Sequence, residues 1–469
     1  MGNKISAFVS IPEIFTKKLL HRTNYFHKNH YLNSKKFCIK CQSSNNYKEW
    51  LDSILSTRKP TDKKYLDKWR KVGINLIKGL PFPSNSDESW KLTSLDRILE
   101  KRFSPSESND EVDNLDEYFE NGSEPRIVFV NGVYSAELSD LTSLDQNVFL
   151  GDLNNYPKEE EENILEFLSK GESGISGGFF PTLNIACLSD IYVLSIPSFL
   201  ELKNPINIFY ISSDSTNIAS FNHRLIVISG ENSKSKVIEQ HIGTELSEYF
   251  ENTAVSILVK ENSKLDYYLI NECSKKSNSI NSIHADIKDN SLLNFSTISL
   301  GGLLSRVNLG IDINGTQCEC NVQGTSIAKE KQTIDFHSRI SHNLPNSESS
   351  QLQKILLTDN AHGVFAGKIQ VQHGADNTNS DQLCKTLLLS PYSRVDALPI
   401  LEINNENVKC THGSTVSDLN DNQMFYLQSR GILEKDAKKL LTVGFVNEMV
   451  NSYPQRLKEK IIKQLNDLM

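Results

Sequence analysis

From Gly177 onward, over roughly 240 residues, the chain consists of short β-rich runs separated by polar turns, with almost no helical periodicity. Ile191-Tyr192-Val193-Leu194-Ser195-Ile196, Arg224-Leu225-Ile226-Val227-Ile228, Val255-Ser256-Ile257-Leu258-Val259, Leu265-Asp266-Tyr267-Tyr268-Leu269-Ile270 and Ile400-Leu401-Glu402-Ile403 are examples. Gly230-Glu231-Asn232-Ser233 and Glu261-Asn262-Ser263 are the kind of turn that divides them. Such runs, enriched in β-branched and aromatic residues, read as strands. Similar strand–turn units recurring about every 20 to 25 residues point to a parallel β-helix, in which stacked coils share one continuous core. A β-sandwich is the alternative. Sandwiches of this length are uncommon and hairpin turns are scarce here, which favours the solenoid.

The flanks have a different period. Between Tyr47 and Phe103 apolar residues recur at helical spacing, first Trp50, Leu51, Ile54 and Leu55, then Tyr65, Leu66, Trp69, Val72 and Gly73. Gly79-Leu80-Pro81-Phe82-Pro83 ends that helix. Residues 104–124 are acidic and rich in Ser and Asn, a loop composition. Residues 126–134 then read as a strand entering a tight turn at Asn131-Gly132. Glu159 to Glu162, followed by Ile164, Leu165 and Leu168, suggest a surface helix. Helix returns after Asp418. Ala437, Leu440, Leu441, Gly444, Phe445, Glu448 and Met449 form one stripe, and beyond Pro454 a second comprises Leu457, Ile461, Leu465 and Leu468. These C-terminal helices are expected to cap the β-helix, to dock a partner, or both.

Charge is unevenly placed. Residues 1–44 carry eight Lys/Arg against Glu13 alone, a balance of +7 that leaves −15 for the remainder of a chain whose net charge is −8. A basic, acid-poor leader without a long apolar run is expected to be a plastid or mitochondrial transit peptide. A plain basic tail is the alternative, and Met1-Gly2-Asn3-Lys4-Ile5-Ser6 also fits an N-myristoylation pattern. The acidic body argues against nucleic acid as a main partner. No stretch approaches the ~20 apolar residues of a membrane-spanning helix. Eight irregularly spaced cysteines fit a reducing compartment better than a disulfide framework.

Few residues offer chemistry. In Val408-Lys409-Cys410-Thr411-His412-Gly413 a strand would turn Cys410 and His412 to the same side. A thiolate beside an imidazole suits iron, zinc or an iron–sulfur cluster. Two ligands are too few for a stable site, so such a metal would be transient or completed by another chain. An ordinary alternating strand is the plainer reading. Cys318-Glu319-Cys320 also puts two sulfurs on one side, where small buried residues are the stronger expectation. Asp335 and His337 share a face; His337 and His342, five apart, do not. Cys38 and Cys41 form a lone C-x-x-C. Walker A, dinucleotide, Gly-x-Ser-x-Gly and His-Glu-x-x-His motifs are all missing from the sequence, so no ATPase or redox activity can be assigned.

Several ordered motifs together resemble the SufB/SufD family of iron–sulfur cluster assembly scaffolds, in detail its SufD branch of plastid type. They are Gln332-Thr333-Ile334-Asp335-Phe336-His337, Gly363-Val364-Phe365-Ala366-Gly367-Lys368-Ile369, Leu387-Leu388-Leu389-Ser390, Leu401-Glu402-Ile403, the Cys410–His412 segment through Val416, and Phe425-Tyr426-Leu427-Gln428-Ser429-Arg430-Gly431-Ile432. Upstream, Glu88-Ser89-Trp90-Lys91-Leu92-Thr93 resembles the family's amino-terminal Trp-Lys motif, and Phe180-Pro181-Thr182-Leu183-Asn184 its entry into the β-helix. The resemblance implies a right-handed parallel β-helix between helical domains. On this reading residues 1–45 are a plastid transit peptide, 46–175 an N-terminal helical domain with short strands, 176–425 the β-helix and 426–469 a helical domain that docks SufC.

It further implies a non-catalytic scaffold in a SufBCD complex, located in the plastid stroma or else the cytoplasm. The β-helix would pair with SufB, and SufC, the ATPase subunit, would bind the ATP. His412, with Cys410 beside it, would lie at the SufB interface and meet iron or a nascent cluster transiently, with no cofactor tightly bound. Gly413 would allow close approach of the partner backbone. The chain departs from the family at Lys354-Ile355-Leu356-Leu357, which loses a glycine, at Ala361-His362-Gly363, at Gln382-Leu383-Cys384-Lys385 and at Ala397-Leu398-Pro399. The competing classes are a β-helical carbohydrate-active enzyme, disfavoured by 8% aromatic content, and a structural β-helix homo-oligomer.

Overall fold

Alternation decides the architecture. In a strand every second side chain faces the same way, and here one set is apolar enough to fill an interior. In a computed structural model, residues 45–58, 61–105, 119, 124–157, 164, 166–213, 217–244, 247–450 and 453–467 are described. The basic leader with Cys38 and Cys41, most of the acidic 104–124 segment, Glu159 to Glu162, Leu165 and Leu468 lie outside the described residues. The described strands form two sheets facing each other across one core. One sheet runs from the hairpin Arg126–Val130/Val133–Asp140 through Ile206–Ser212, Lys234–Gly243, Lys264–Glu272, Leu292–Ser299, Glu319–Ala328, Glu348–Leu357 and Asn379–Leu388 to Lys409–Asp418. The other runs from Phe149–Asp152 through Tyr192–Ile196, Arg224–Ser229, Tyr249–Val259, Asn278–Ile287, Leu304–Ile313, Thr333–His342 and His362–Val371 to Arg394–Ile403.

The chain alternates between the sheets, so each coil holds one strand of each, and successive coils pair in parallel. This is the expected parallel solenoid, but its repeat is longer than 20 to 25 residues. Lys264, Leu292, Glu319, Glu348, Asn379 and Lys409 are register partners in turn, giving 27 to 31 residues per coil. The shorter figure came from counting the conspicuous apolar runs. Strands such as Asn278–Ile287 and Glu348–Leu357, whose inward rows include Ser, Asn and Gln, do not stand out in that count.

One corner of each coil needs a left-handed residue, and the chain supplies Asn232, Asn262, Asn290, Gln317, Asn346 and Asn377, with φ between 54° and 62°. Asparagine tolerates that region better than most side chains. The backbone N–H groups of Asn232, Asn262, Asn290, Asn346 and Asn377 each donate to a carbonyl of the following coil at 2.8–3.0 Å, so the corner is itself a stacked ladder.

The solenoid begins earlier than the change in sequence character suggested. Arg126–Val130 pairs in parallel with Ile206–Ser212 and antiparallel with Val133–Asp140 across the expected Asn131-Gly132 turn, where both residues have positive φ. Outside the second sheet, helices Asn45–Ser56, Lys64–Ile77 and Phe179–Ala186 bury Trp50, Ile54, Trp90, Phe179 and Phe180 against Phe250, Ile280 and Leu304. Gly73 is required there, because a Cβ would meet the Ala186 backbone nitrogen at 2.5 Å. Asp335 and His337 do share a face, and it is the outer one. Asp335 pairs with Arg306 at 2.6 Å and accepts from Thr93 at 2.5 Å; His337 lies 3.0 Å away. The Arg306 guanidinium stacks on Trp90 at 3.7 Å and donates to the Ser89 carbonyl at 2.7 Å, so the Trp-Lys segment is riveted to the solenoid.

The C-terminal helices do not cap the end of the solenoid. Glu434–Val450 and Gln455–Asp467 lie on the outer face of the first sheet, where Val446, Val450, Tyr453, Leu457, Ile461 and Leu465 cover Tyr268, Ile270, Ile298, Ile327, Leu356 and Leu387. Lys354 Nζ reaches the Phe445 carbonyl and Glu448, both at 2.5 Å. The buried face of the first helix differs from the expected stripe. Ala437, Thr442, Val446, Met449 and Val450 are inside, while Leu440, Gly444 and Glu448 are exposed, because contact with a flat sheet selects another side of the helix.

A β-branched side chain at a corner should be costly. Asn290→Val should lower stability by about 1–2 kcal/mol, and Asn290→Gly should be close to neutral. Urea unfolding of the two variants checks this; equal midpoints would contradict the corner's role.

Candidate functional site

In the interior coils each strand has a neighbour on both sides. Among the described residues, the final strands, Arg394–Ile403 and Lys409–Asp418, have one on a single side. Their outer edges present unpaired backbone N–H and C=O groups, the arrangement on which another strand can add. Their side chains are exposed too. Ile403 and Val416, on the inward rows, are 37% and 51% exposed, whereas their register partners one coil earlier, Val371 and Thr386, are buried; Leu398, on the outer face, is 47% exposed.

Register places the sequence-predicted residues. Cys410, His412, Ser414 and Val416 are partners of Ser380, Gln382, Cys384 and Thr386, all of them buried in the solenoid interior. Cys410 and His412 therefore belong to one inward row, laid bare where the stack ends. His412 is exposed. Cys410 is half-buried against Ile369, Val371 and Ala375, and burial pushes its thiol pKa up. Gly413, on the opposite face of the strand, lies where a Cβ would meet Leu383 Cδ1 at 3.2 Å.

Among the described residues no group of three His, Cys, Asp or Glu is placed to hold a metal ion. Cys410 and His412 thus offer two donors, and a third must come from elsewhere. Cys318 and Cys320 are packing residues; both are buried in the main core, and Cys318 Sγ donates to the Lys288 carbonyl at 3.1 Å. Cys384 is fully buried, its thiol pushed up to about 12 by burial. His362 pairs with Asp396 at 2.8 Å beside the open end but on the outer face.

Sequence reasoning missed the polar interior of the last coils. Gln382 Nε2 donates to Gln351 Oε1 at 2.8 Å, and Gln351 Nε2 donates to Ser338 Oγ at 2.8 Å. His342 Nε2 lies 2.9 Å from Ser349 Oγ, itself 2.7 Å from Ser380 Oγ. The available signal was the coil repeat, because Gln351, Gln382 and His412 occupy one row in consecutive coils. A second polar cluster lies deeper, where His241 bridges Glu251 at 2.8 Å and Glu239 at 3.1 Å, all buried.

Burial holds His342 down at about 4, so the folded chain keeps it neutral while the unfolded chain protonates it near 6.5. The unfolded state then binds more protons between those values, and stability should fall as pH drops from about 6.5 to 4. His223, also buried and held down at about 4, acts in the same direction. His342→Asn should make the decline shallower, by up to about 3 kcal/mol. Denaturant titrations across that range check it, and an unchanged slope would contradict the assignment.

Comparison with known proteins places this geometry in context. The family description "SUF system FeS cluster assembly, SufBD core domain" matches residues 209–445, and "SufBD protein N-terminal region" matches residues 41–208. An iron–sulfur cluster assembly SufBD family protein of Synechocystis sp. is 29% identical over 395 residues, covering 82% of this chain and 87% of that protein. Protein ABCI7, chloroplastic, of Arabidopsis thaliana is 29% identical over 420 residues, covering 87% and 86%. The iron–sulfur cluster assembly protein SufD of Escherichia coli is 24% identical over 441 residues, covering 90% and 96%.

Proposed function

The chain belongs to the SufBD family of iron–sulfur cluster assembly proteins, and on that footing we propose that it is the SufD-type scaffold of a SufBCD complex, joined through the open end of its solenoid to a SufB-type subunit. The observation that carries the proposal is the final coil. Among the described residues two ten-residue strands lie unpaired on one side, with Cys410 and His412 on the row that a second solenoid would close over. Continuing the backbone ladder into another chain would satisfy the free groups of both strands and bury Ile403 and Val416.

His412 and Cys410 supply two donors at that junction, and residues of the SufB-type partner complete the set around iron or a nascent cluster, the cargo of the complex. This chain acts as a non-catalytic scaffold and holds no resident cofactor. A SufC-type ATPase binds the C-terminal helices. Support comes from Phe425, Tyr426, Leu433 and Leu440, large apolar side chains 54–72% exposed on the helices Asp421–Ser429 and Glu434–Val450 and the turn between them. ATP hydrolysis in that partner would strain the helices, and through the sheet beneath them the joined ends. The basic, acid-poor leader and the chloroplastic relative support import into a plastid.

His412→Ala should leave the three-subunit complex intact and abolish cluster formation. Co-purification together with cluster absorbance after iron and sulfide supply reads both. Normal cluster yield from an intact variant complex would sink the role given to His412.

A further inference from the structure

The residue directly beneath His412 in the solenoid interior is Gln382. Its side chain is fully buried and its orientation is set from behind, since Nε2 donates to Gln351 Oε1 at 2.8 Å and Gln351 is held in turn by Ser338. Gly367 makes room for it, because a Cβ there would meet Gln382 Nε2 at 2.3 Å. With Nε2 committed to the coil below, the remaining polar atom is Oε1, and in the uncovered end Oε1 has no hydrogen-bond partner. Leaving a buried acceptor unpaired is destabilising, so a donor is wanted at this position. The neighbouring strand lies about 4.8 Å away, and the side chain it places on the same row is the imidazole of His412.

We propose that Gln382 is the positioning residue of His412, accepting the ring N–H that faces into the solenoid and leaving the opposite ring nitrogen unprotonated toward the joined partner. This deepens the role given to His412 above and rests on that reading. An imidazole with one nitrogen committed to a carbonyl acceptor has a single tautomer and a fixed ring plane, and its other nitrogen is a lone pair aimed in one direction. While the end is open the exposed ring is free to turn to water. Covering the end removes that water, and the carbonyl of Gln382 becomes the acceptor for the inward N–H. The Ser338–Gln351–Gln382–His412 row is then a continuous hydrogen-bonded string, and the polar interior has a purpose beyond packing.

The test uses the full chain labelled with 15N-histidine, in complex with its SufB- and SufC-type partners. The His412 ring signals are identified by their loss in His412→Asn. At a pH where the ring is neutral, the wild type should show one tautomer. Gln382→Met, close in volume but without an acceptor, should give a mixture and slow cluster formation about 10–100-fold. An unchanged His412 tautomer in Gln382→Met would overturn the proposal. Should that variant fail to fold, Gln351→Met, which frees the Gln382 amide from behind, must broaden the tautomer distribution, and a single tautomer there would overturn the proposal equally. Normal cluster formation by His412→Ala would instead remove the role given to His412, while the tautomer comparison would still decide that of Gln382.

Discussion

Backbone pairing between successive coils is the interaction on which the rest depends. A parallel solenoid satisfies the N–H and C=O groups of each strand only through the coils before and after it, so every coil is both a support and a demand. That arrangement tolerates polar residues inside. Gln351, Gln382, Ser349 and Ser380 repeat on matching rows and bond to one another or to His342 and Ser338, and His241 bridges Glu239 and Glu251, which also accept from Tyr267 and Cys273. It also has an unavoidable consequence, since a stack must stop somewhere and its last coil has nothing to pair with.

The two ends are finished differently. At the start, antiparallel partners end the ladders, the hairpin strand Val133–Asp140 on one sheet and Phe149–Asp152 on the other. The outer faces are covered as well, one by the N-terminal helices around Trp50 and Trp90, the other by the helices around Val446 and Ile461. At the far end, among the described residues, the final strands end the ladders bare. Because the C-terminal helices turn aside onto the sheet face, the row carrying Cys410 and His412 is left open. Lys354 and Lys460 fasten those helices to the strands beneath, through Glu448 at 2.5 Å and Glu272 at 2.5 Å.

How much of this was legible in the sequence follows from what each element depends on. The parallel solenoid, the flanking helices and the Asn131-Gly132 hairpin were readable, because alternation, helical spacing and turn chemistry are local. The coil length was not, since strands with Ser, Asn and Gln facing inward look polar until their partners are known. The buried side of helix Glu434–Val450 was misjudged for a similar reason, its hydrophobic positions being spread around the helix so that the sheet decides which are covered. Cys410 and His412 were placed on one side by their i, i+2 spacing. Gln382 stands in the sequence only as a departure from the family and carries no role there, because its importance comes from a residue thirty positions further along, and only register shows that.

If the bare final coil is a mating surface, amide hydrogen exchange with and without a SufB-type partner reads it most directly. Strong new protection across Lys409–Asp418 and Arg394–Ile403, with the Ser338–Gln351–Gln382 coils already protected in the free chain, is the predicted result. A stable complex in which those two strands exchange as fast as in the free protein would contradict the claim and place the interface elsewhere.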